Sequence, residues 1–183
     1  MRSLAVSLVV VALWFCCVSS AGASGIEPYA GYCDPEGEMG GTFILGANFS
    51  IGPVTAAAPI FIEPGAAFWR KGYSVYGYSW SWTYIGAVCN ARYDVAPEGS
   101  NVTFFPFAGL SLSLQRWSGK VSYFDPFSGQ TTTADESDSE VDFGLRFGGG
   151  VVFPAGTMTF VARAGFETNG GADYLFLTGG LRF

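Results

Sequence analysis

The stretch that decides the fold is the last one, Asp173-Tyr174-Leu175-Phe176-Leu177-Thr178-Gly179-Gly180-Leu181-Arg182-Phe183. Successive side chains of a β-strand point to opposite faces, so a strand here divides its residues into two sets. One face holds Leu175, Leu177, Gly179, Leu181 and Phe183. The other face holds Tyr174, Phe176, Thr178, Gly180 and Arg182. The pattern therefore predicts a strand with one apolar face and an arginine on the opposite face.

Similar alternation fills the rest of the chain, and turn-forming Gly, Pro, Asn and Asp residues separate the alternating stretches. We predict eight strands: Ile26–Cys33, Thr42–Ile51, Pro59–Arg70, Tyr76–Asp94, Val102–Trp117, Glu140–Phe153, Thr157–Glu167 and Asp173–Phe183. Outside the N-terminal segment, no window shows the 3.6-residue period of an amphipathic helix. The sequence thus predicts an all-β domain with short turns at one end and longer loops at the other.

The fourth strand is the irregular one. Its large aromatic residues up to Tyr84 share one face, whereas the apolar residues from Ile85 onward share the opposite face. A β-bulge near Tyr84-Ile85 would shift the phase and keep both sets on the outside.

Aromatic residues also cluster at the predicted outer strand ends, where they would form a membrane belt: Phe68, Trp69, Tyr73, Tyr76, Tyr78, Trp80 and Trp117.

Residues 1–23 have the organisation of a cleaved signal peptide. Arg2 precedes an apolar run from Leu4 to Val18, and small residues lead to a cleavage position after Ala23. The run is shorter than the roughly 20 residues that a spanning helix needs. A lipoprotein signal is the alternative, because Cys16 and Cys17 lie late in the run, although Phe15 stands where a small residue is needed. We therefore predict a signal peptide at 1–23 and one domain at 24–183.

Composition narrows the class of protein. The chain has 15 acidic and 9 basic residues, a net charge of −6, which disfavours nucleic acid as a partner. It also contains 17 Phe, 9 Tyr, 5 Trp and 26 Gly. So many aromatic residues with so few charges suit a protein whose outer surface is apolar.

The placement of the charges separates a membrane barrel from a soluble one. Seven charged residues lie opposite the apolar faces: Glu27, Glu63, Asp142, Arg146, Arg163, Glu167 and Arg182. An arginine facing lipid at the bilayer midplane costs roughly 2–4 kcal/mol, so these residues predict a polar lumen in which charges pair. The alternative is a secreted lipocalin-like carrier of a small ligand, with its apolar faces inside and its charges outside.

A terminal Phe with apolar residues two, six and eight positions before it resembles the sorting signature of Gram-negative outer-membrane β-barrels. Leu181, Leu177 and Leu175 occupy those positions before Phe183, and Gly179 shares their face. We assign the terminal sorting signal to Leu177, Gly179, Leu181 and Phe183. Together with the stretches 26–32, 143–154 and 178–183, it makes the whole chain after 23 similar to the family that includes OmpA-type and OmpX-type barrel domains.

The resemblance implies an eight-stranded antiparallel up-and-down transmembrane β-barrel in the bacterial outer membrane. It implies a monomer among membrane lipid and lipopolysaccharide, whose terminal Phe is read by the barrel-assembly machinery. We expect no appended peptidoglycan-binding domain, which departs from full-length OmpA-type proteins and puts a role in cell-wall anchoring in doubt.

The available chemistry is limited. The sequence has no histidine, which excludes His-dependent hydrolases and acyltransferases and the usual zinc ligands. We predict no enzymatic activity, no cofactor and no metal. Cys33 and Cys89 are the cysteines that remain after processing, and an exported protein could oxidise them. Their different predicted heights favour two unpaired thiols, and the disulfide stays open.

Two surface features are candidate sites. The connection Ser118–Ser139 is acidic but lacks calcium-ligand spacing, and we predict a flexible outer loop that could contact a surface ligand. Four basic residues at the outer strand ends, Arg70, Lys71, Arg116 and Lys120, either bind lipopolysaccharide phosphates or form a solvated rim. The predicted function is a structural or adhesin-like surface role with a side-chain-filled lumen, and a narrow ion or water pore is the alternative.

Overall fold

The structure is a computed structural model that describes residues 23–35, 40–55, 57–75, 78–127, 130–170 and 173–183. Apart from Ala23, the predicted signal peptide lies outside these ranges, as do Cys16, Cys17 and Tyr76. The signal peptide and its cleavage after Ala23 therefore stay predictions. Within the described ranges, no helix is long and apolar enough to cross a membrane.

Eight strands close into one antiparallel barrel in which each strand pairs with its neighbours in sequence. They are β1 (Ala23–Pro35), β2 (Thr42–Ile51), β3 (Ile60–Val75), β4 (Tyr78–Tyr93), β5 (Thr103–Asp125), β6 (Gln130–Ala155), β7 (Met158–Thr168) and β8 (Tyr174–Arg182). The predicted fold class, an eight-stranded up-and-down barrel, is confirmed.

The terminal residue takes part in closing the barrel. β1 pairs with β8 from Tyr29↔Gly180 to Pro35↔Tyr174. Beyond that ladder, Ile26 N donates to Phe183 O at 3.2 Å and Phe183 N donates to Ile26 O at 3.0 Å. Backbone groups that would otherwise form an open sheet edge are thereby satisfied, as a wall that crosses lipid requires.

The outward face is apolar and the lumen holds the polar and charged groups. Phe43 and Leu177 face outward with 79% and 61% of their surface exposed, whereas Glu63 and Arg163 face inward with 0% and 5% exposed. The lipocalin-like alternative is therefore wrong, because it requires the opposite arrangement.

The height of the apolar band can be read along β5. Its outward residues run from Phe104 to Leu114 without a charge, and Arg116 follows. This span is about 34 Å of strand at 3.4 Å per residue. At the 35–45° tilt of membrane barrels it covers about 26 Å of membrane depth, close to the roughly 25 Å band of such proteins. The outer boundary of the apolar band thus lies between Leu114 and Arg116.

The predicted bulge in β4 is wrong. The ladder between β3 and β4 continues without a shift through Trp69↔Tyr84 and Phe68↔Ile85. Tyr84 is fully buried inside the barrel, and Trp82 packs against the same core. The aromatic residues of β4 keep one phase throughout, so they face the lumen rather than the lipid.

The predicted outer aromatic belt is wrong for most of its members for the same reason, and among its described members Phe68 alone faces outward. Trp69 is fully buried in the lumen, and Trp80, Trp82 and Trp117 share the inward phase of their strands. The exposed outward aromatic residues near the outer end are Tyr32, Phe43 and Phe68. The outer lipid-facing surface therefore carries Tyr and Phe, and the tryptophans of the described residues have the inward phase.

The predicted loop at Ser118–Ser139 is also wrong. β5 and β6 stay paired from Trp117↔Asp138 up to Asp125↔Gln130. They form a hairpin that rises beyond the apolar band. β6 pairs with β7 only from Leu145 inward, so from Gln130 to Gly144 no β7 residue covers the other edge of β6 within the described chain.

Candidate functional site

Five charged side chains fill the inner half of the lumen, and we call them the inner cluster. They come from β1, β3, β4, β7 and β8: Glu27, Glu63, Arg92, Arg163 and Arg182. Four of the side chains are at most 5% exposed, and Arg182 is 16% exposed. Each side chain points inward because the opposite phase of its strand carries the apolar residues. The barrel thus brings together residues that lie far apart in the sequence.

Arg163 is the central member of the inner cluster. Its Nε and Nη2 donate to the two carboxylate oxygens of Glu27 at 2.9 and 3.0 Å. Its Nη1 and Nη2 donate to Glu63 at 2.6 and 3.1 Å. Two-point contacts of this kind are the strongest form of arginine–carboxylate pairing.

Two further arginines complete the inner cluster. Arg92 Nη1 donates to Glu63 Oε1 at 2.6 Å, and Arg182 Nη2 donates to Glu27 Oε2 at 2.8 Å. Asp94, at the inner mouth, accepts from Arg92 Nη2 at 3.0 Å. Three guanidinium groups thus meet three carboxylates, so the positive and negative charges balance.

Aromatic rings and glycines pack around these charges. The guanidinium carbons of Arg92 and Arg163 lie 5.0 and 4.8 Å from the centre of the Phe105 ring. A Cβ at Gly150 would overlap that ring, so glycine is needed at this close approach. The cluster, the ring and the wall together occupy the inner lumen.

A second cluster, the upper cluster, lies nearer the outer end of the lumen. Arg146 Nε lies 3.0 Å from Glu167 Oε2. The same carboxylate accepts from Tyr174 OH at 2.7 Å and from Tyr84 OH at 2.5 Å. A buried carboxylate with this many partners is strongly fixed in position.

An aromatic layer adjoins the upper cluster. Trp69 and Tyr84 stack with ring centres 5.4 Å apart and planes 4° apart. Tyr174 meets both rings edge-on, at 6.0 Å from Trp69 and 5.5 Å from Tyr84. Such arrangements are the favourable ones for aromatic pairs. Together with the two charge clusters, this layer fills the lumen along its length.

The seven charged residues singled out from sequence all face inward, but they form two groups. Glu27, Glu63, Arg163 and Arg182 lie in the inner cluster, and Arg146 and Glu167 lie in the upper cluster. Asp142 is apart from both and accepts from Gln115 Nε2 at 2.8 Å.

Sequence reasoning missed Arg92, Tyr84 and Tyr174. A signal for Arg92 was present, because the alternation that puts Ala91 and Tyr93 outward puts Arg92 inward. Tyr84 was assigned to the wrong face, and Tyr174 was not linked to Glu167.

A cleft opens at the outer mouth, between β4, β5 and β6. It measures about 360 Å³ and is lined by Trp82, Gln115, Trp117, Asp138, Ser139 and Glu140. Trp82 Nε1 donates to Gln115 Oε1 at 3.2 Å, and Gln115 in turn donates to Asp142 and Asn169. The floor of the cleft is therefore a fixed hydrogen-bonded chain, and its rim carries two carboxylates.

The four predicted rim basic residues separate into two sets. Arg70, Arg116 and Lys120 share the outward phase of β3 and β5, and Lys120 pairs with Asp135 at 3.5 Å. Lys71 has the inward phase and donates to Gly41 O at 2.8 Å. Lys71 therefore differs from the other three in the face that it occupies, and contact of these residues with lipopolysaccharide stays a prediction.

The predicted terminal signature lies on the outward face. Leu177 and Phe183 are exposed there, and Gly179 and Leu181 share their phase.

Cys33 is buried in the lumen and Cys89 is exposed on the outward face. The barrel wall therefore lies between the two thiol side chains.

Neither a protein-family model nor a curated protein sequence matches this chain significantly. Solved structures do match. Neisserial surface protein A is 17% identical over 88% of this chain and 97% of its own, with a TM-score of 0.52. A major outer membrane protein from Thermus thermophilus is 14% identical over 86% of this chain and 99% of its own, with a TM-score of 0.53.

This chain has the fold of a small bacterial outer-membrane β-barrel. Its apolar outward band and its charged interior place it in the outer membrane, among membrane lipid. The outer membrane enzyme PagL, 16% identical over 86% of this chain and 98% of its own, has a TM-score of 0.43. Among the described residues, no group of three or more His, Cys, Asp or Glu could hold a metal ion.

Proposed function

We propose that this protein is a non-enzymatic surface-interaction protein of the outer membrane. In this proposal a closed barrel carries the β5–β6 hairpin outside the membrane, and the hairpin contacts a partner. The observation that carries the proposal is the ladder from Trp117↔Asp138 to Asp125↔Gln130, which continues past the outer edge of the apolar band. From Leu114 to Asp125 it amounts to about 37 Å of strand.

The free edge of β6 gives the hairpin a means of binding. From Gln130 to Gly144 no β7 residue pairs with this edge within the described chain. An exposed strand edge offers backbone donors and acceptors to an extended segment of another protein. β7 covers this edge from Leu145 inward, and the part of the free edge from Gln130 to Ser139 lies beyond the outer boundary of the apolar band.

Charge supports a basic partner. Glu136, Asp138 and Glu140 share the inward phase of β6, next to the indoles of Trp82 and Trp117 across the ladder. A Lys or Arg side chain satisfies carboxylates and also binds over an indole ring. The cleft at the base of the hairpin is large enough to take one such side chain.

The closed lumen argues against the pore alternative. The inner cluster is paired, four of its five side chains are at most 5% exposed, and the upper cluster lies in the same passage. An eight-stranded barrel leaves room for little besides its own side chains. The absence of histidine from the sequence supports the non-enzymatic part of the proposal.

The test is a barrel with a shortened hairpin. Residues 118–137 are replaced by Asn-Gly, which makes a two-residue turn directly after the Trp117↔Asp138 pair. Bacteria displaying this variant should lose retention on a surface coated with a basic protein, at least about tenfold relative to the full-length barrel.

A second variant, Glu136→Gln with Asp138→Asn and Glu140→Gln, keeps the hairpin and removes its charge. It should lose retention to a similar extent. Both variants should keep the heat-modifiable gel mobility of a folded barrel. Retention that is equal in all three proteins, or absent in the full-length barrel, would contradict the proposal.

A further inference from the structure

Two arginines, Arg70 and Arg116, lie two strands apart in one row on the outward face of the barrel. Arg70 pairs with Thr83, and Thr83 pairs with Arg116, so the three residues form one lateral row across β3, β4 and β5. Ser139 continues the row on β6. Strands lie about 4.8 Å apart, so the two arginine backbones are about 10 Å apart and their long side chains can reach one group between them.

The row lies directly above the apolar band. The outward row below it is wholly apolar and consists of Phe68, Ile85, Leu114 and Val141. Two residues of tilted strand place the arginines about 5 Å beyond that row. This is the depth at which acyl chains give way to headgroups.

Beside this row, the donors lie on the outward face and the neighbouring acids of β6 have the inward phase. Every member of the row, Arg70, Thr83, Arg116 and Ser139, carries a hydrogen-bond donor. The acids Asp138, Glu140 and Asp142 have the opposite, inward phase of β6. Within the described part of the chain, no carboxylate forms an ion pair with Arg70 or Arg116. The next outward acid on β6 is Asp135, and it pairs with Lys120 at 3.5 Å.

We propose that Arg70 and Arg116 bind a phosphate group of a phosphorylated glycolipid in the outer leaflet. Guanidinium groups form paired hydrogen bonds to phosphate oxygens, and they do so best where water is partly excluded. The row offers two such groups at headgroup depth, and no carboxylate belongs to the row or forms an ion pair with either arginine within the described chain. The occupant is a lipid rather than a soluble anion because the apolar row below would contact its acyl chains.

Lys71 provides the matched control. It follows Arg70 in the chain and carries the same charge, but it faces inward and binds Gly41 O. The experiment measures binding of fluorescent diphosphorylated lipid A, and of the same lipid A without phosphates, to the barrel in detergent micelles. The proteins are the wild type, Arg70→Gln with Arg116→Gln, and Lys71→Gln, each checked for heat-modifiable mobility.

Wild type and Lys71→Gln should prefer the phosphorylated lipid by at least about tenfold, and the double variant should lose this preference. Inorganic phosphate at millimolar concentration should not displace the lipid. The proposal is overturned if the double variant keeps the preference or if Lys71→Gln loses it equally. Displacement by inorganic phosphate alone would mean a general anion site and would also overturn it.

Discussion

Arg163 and Glu63 form a two-point ion pair across the lumen, with contacts of 2.6 and 3.1 Å between β7 and β3. The same guanidinium holds Glu27 of β1. One side chain therefore ties three strands of the wall together. Removing the Arg163 side chain would leave two buried carboxylates with only Arg92 and Arg182 as cationic partners. We therefore expect substitution of Arg163 to reduce the stability of the barrel strongly.

We expect Arg163→Met to destabilise the barrel by about 3–5 kcal/mol, the usual cost of removing one partner from a buried ion pair. Urea unfolding in detergent, followed by tryptophan fluorescence, measures the loss. The control is Lys120→Met, because that ion pair with Asp135 is 65% and 63% exposed. It should cost under about 1 kcal/mol. Equal losses in the two variants would refute the structural importance of the inner cluster.

The closed lumen also predicts electrical behaviour. In a planar bilayer the wild-type protein should give no steady single-channel current, because the inner cluster and the Trp69–Tyr84 layer fill the passage. Arg163→Ala leaves space for water and should admit small currents, provided that its gel mobility shows a folded barrel. A steady wild-type conductance that changes in size with this substitution would favour the pore alternative.

The faces of most strands could be predicted because a period of two needs only local sequence. In β6 and β7 the apolar residues occupy one phase and Arg146, Arg163 and Glu167 occupy the other, so the alternation directly gives lipid side and lumen side. The pairing of those charges could not be predicted, because it depends on which strands the closed barrel brings face to face.

β4 shows the limit of the same reasoning. Its outer half packs Trp82 and Tyr84 into an aromatic layer inside the lumen, so hydrophobicity alone does not separate lipid-facing from lumen-facing residues there. The loop predicted in place of the β5–β6 hairpin was wrong for a different reason. The β6 half of the hairpin, Gln130–Ser139, is polar on both faces and carries no apolar alternation, so only the continued register with β5 reveals that strand.

The depth of the barrel in the membrane can be tested on β5. Leu110 lies near the middle of the outward run from Phe104 to Leu114, and Leu114 lies at its outer edge. We expect Leu110→Arg to cost roughly 2–4 kcal/mol and Leu114→Arg at most about 1 kcal/mol, because the cost of arginine falls toward the interface. Unfolding titrations in lipid vesicles measure both. Similar losses of stability at the two positions would show that the outer boundary of the apolar band does not lie between Leu114 and Arg116.

The terminal Phe183 allows assembly in the cell to be separated from stability. Its backbone bonds Ile26 in both directions, at 3.2 and 3.0 Å, while 70% of its surface is exposed on the outward face. Phe183→Ala therefore keeps the bonds that close the barrel and should refold in detergent with normal mobility. If the assembly machinery reads the terminal ring, the same variant should reach the outer membrane of living cells at least about threefold less efficiently. Phe43→Ala removes another exposed outward ring and should assemble normally, so equal defects in the two variants would mean that the loss is a general effect of removing a lipid-facing aromatic.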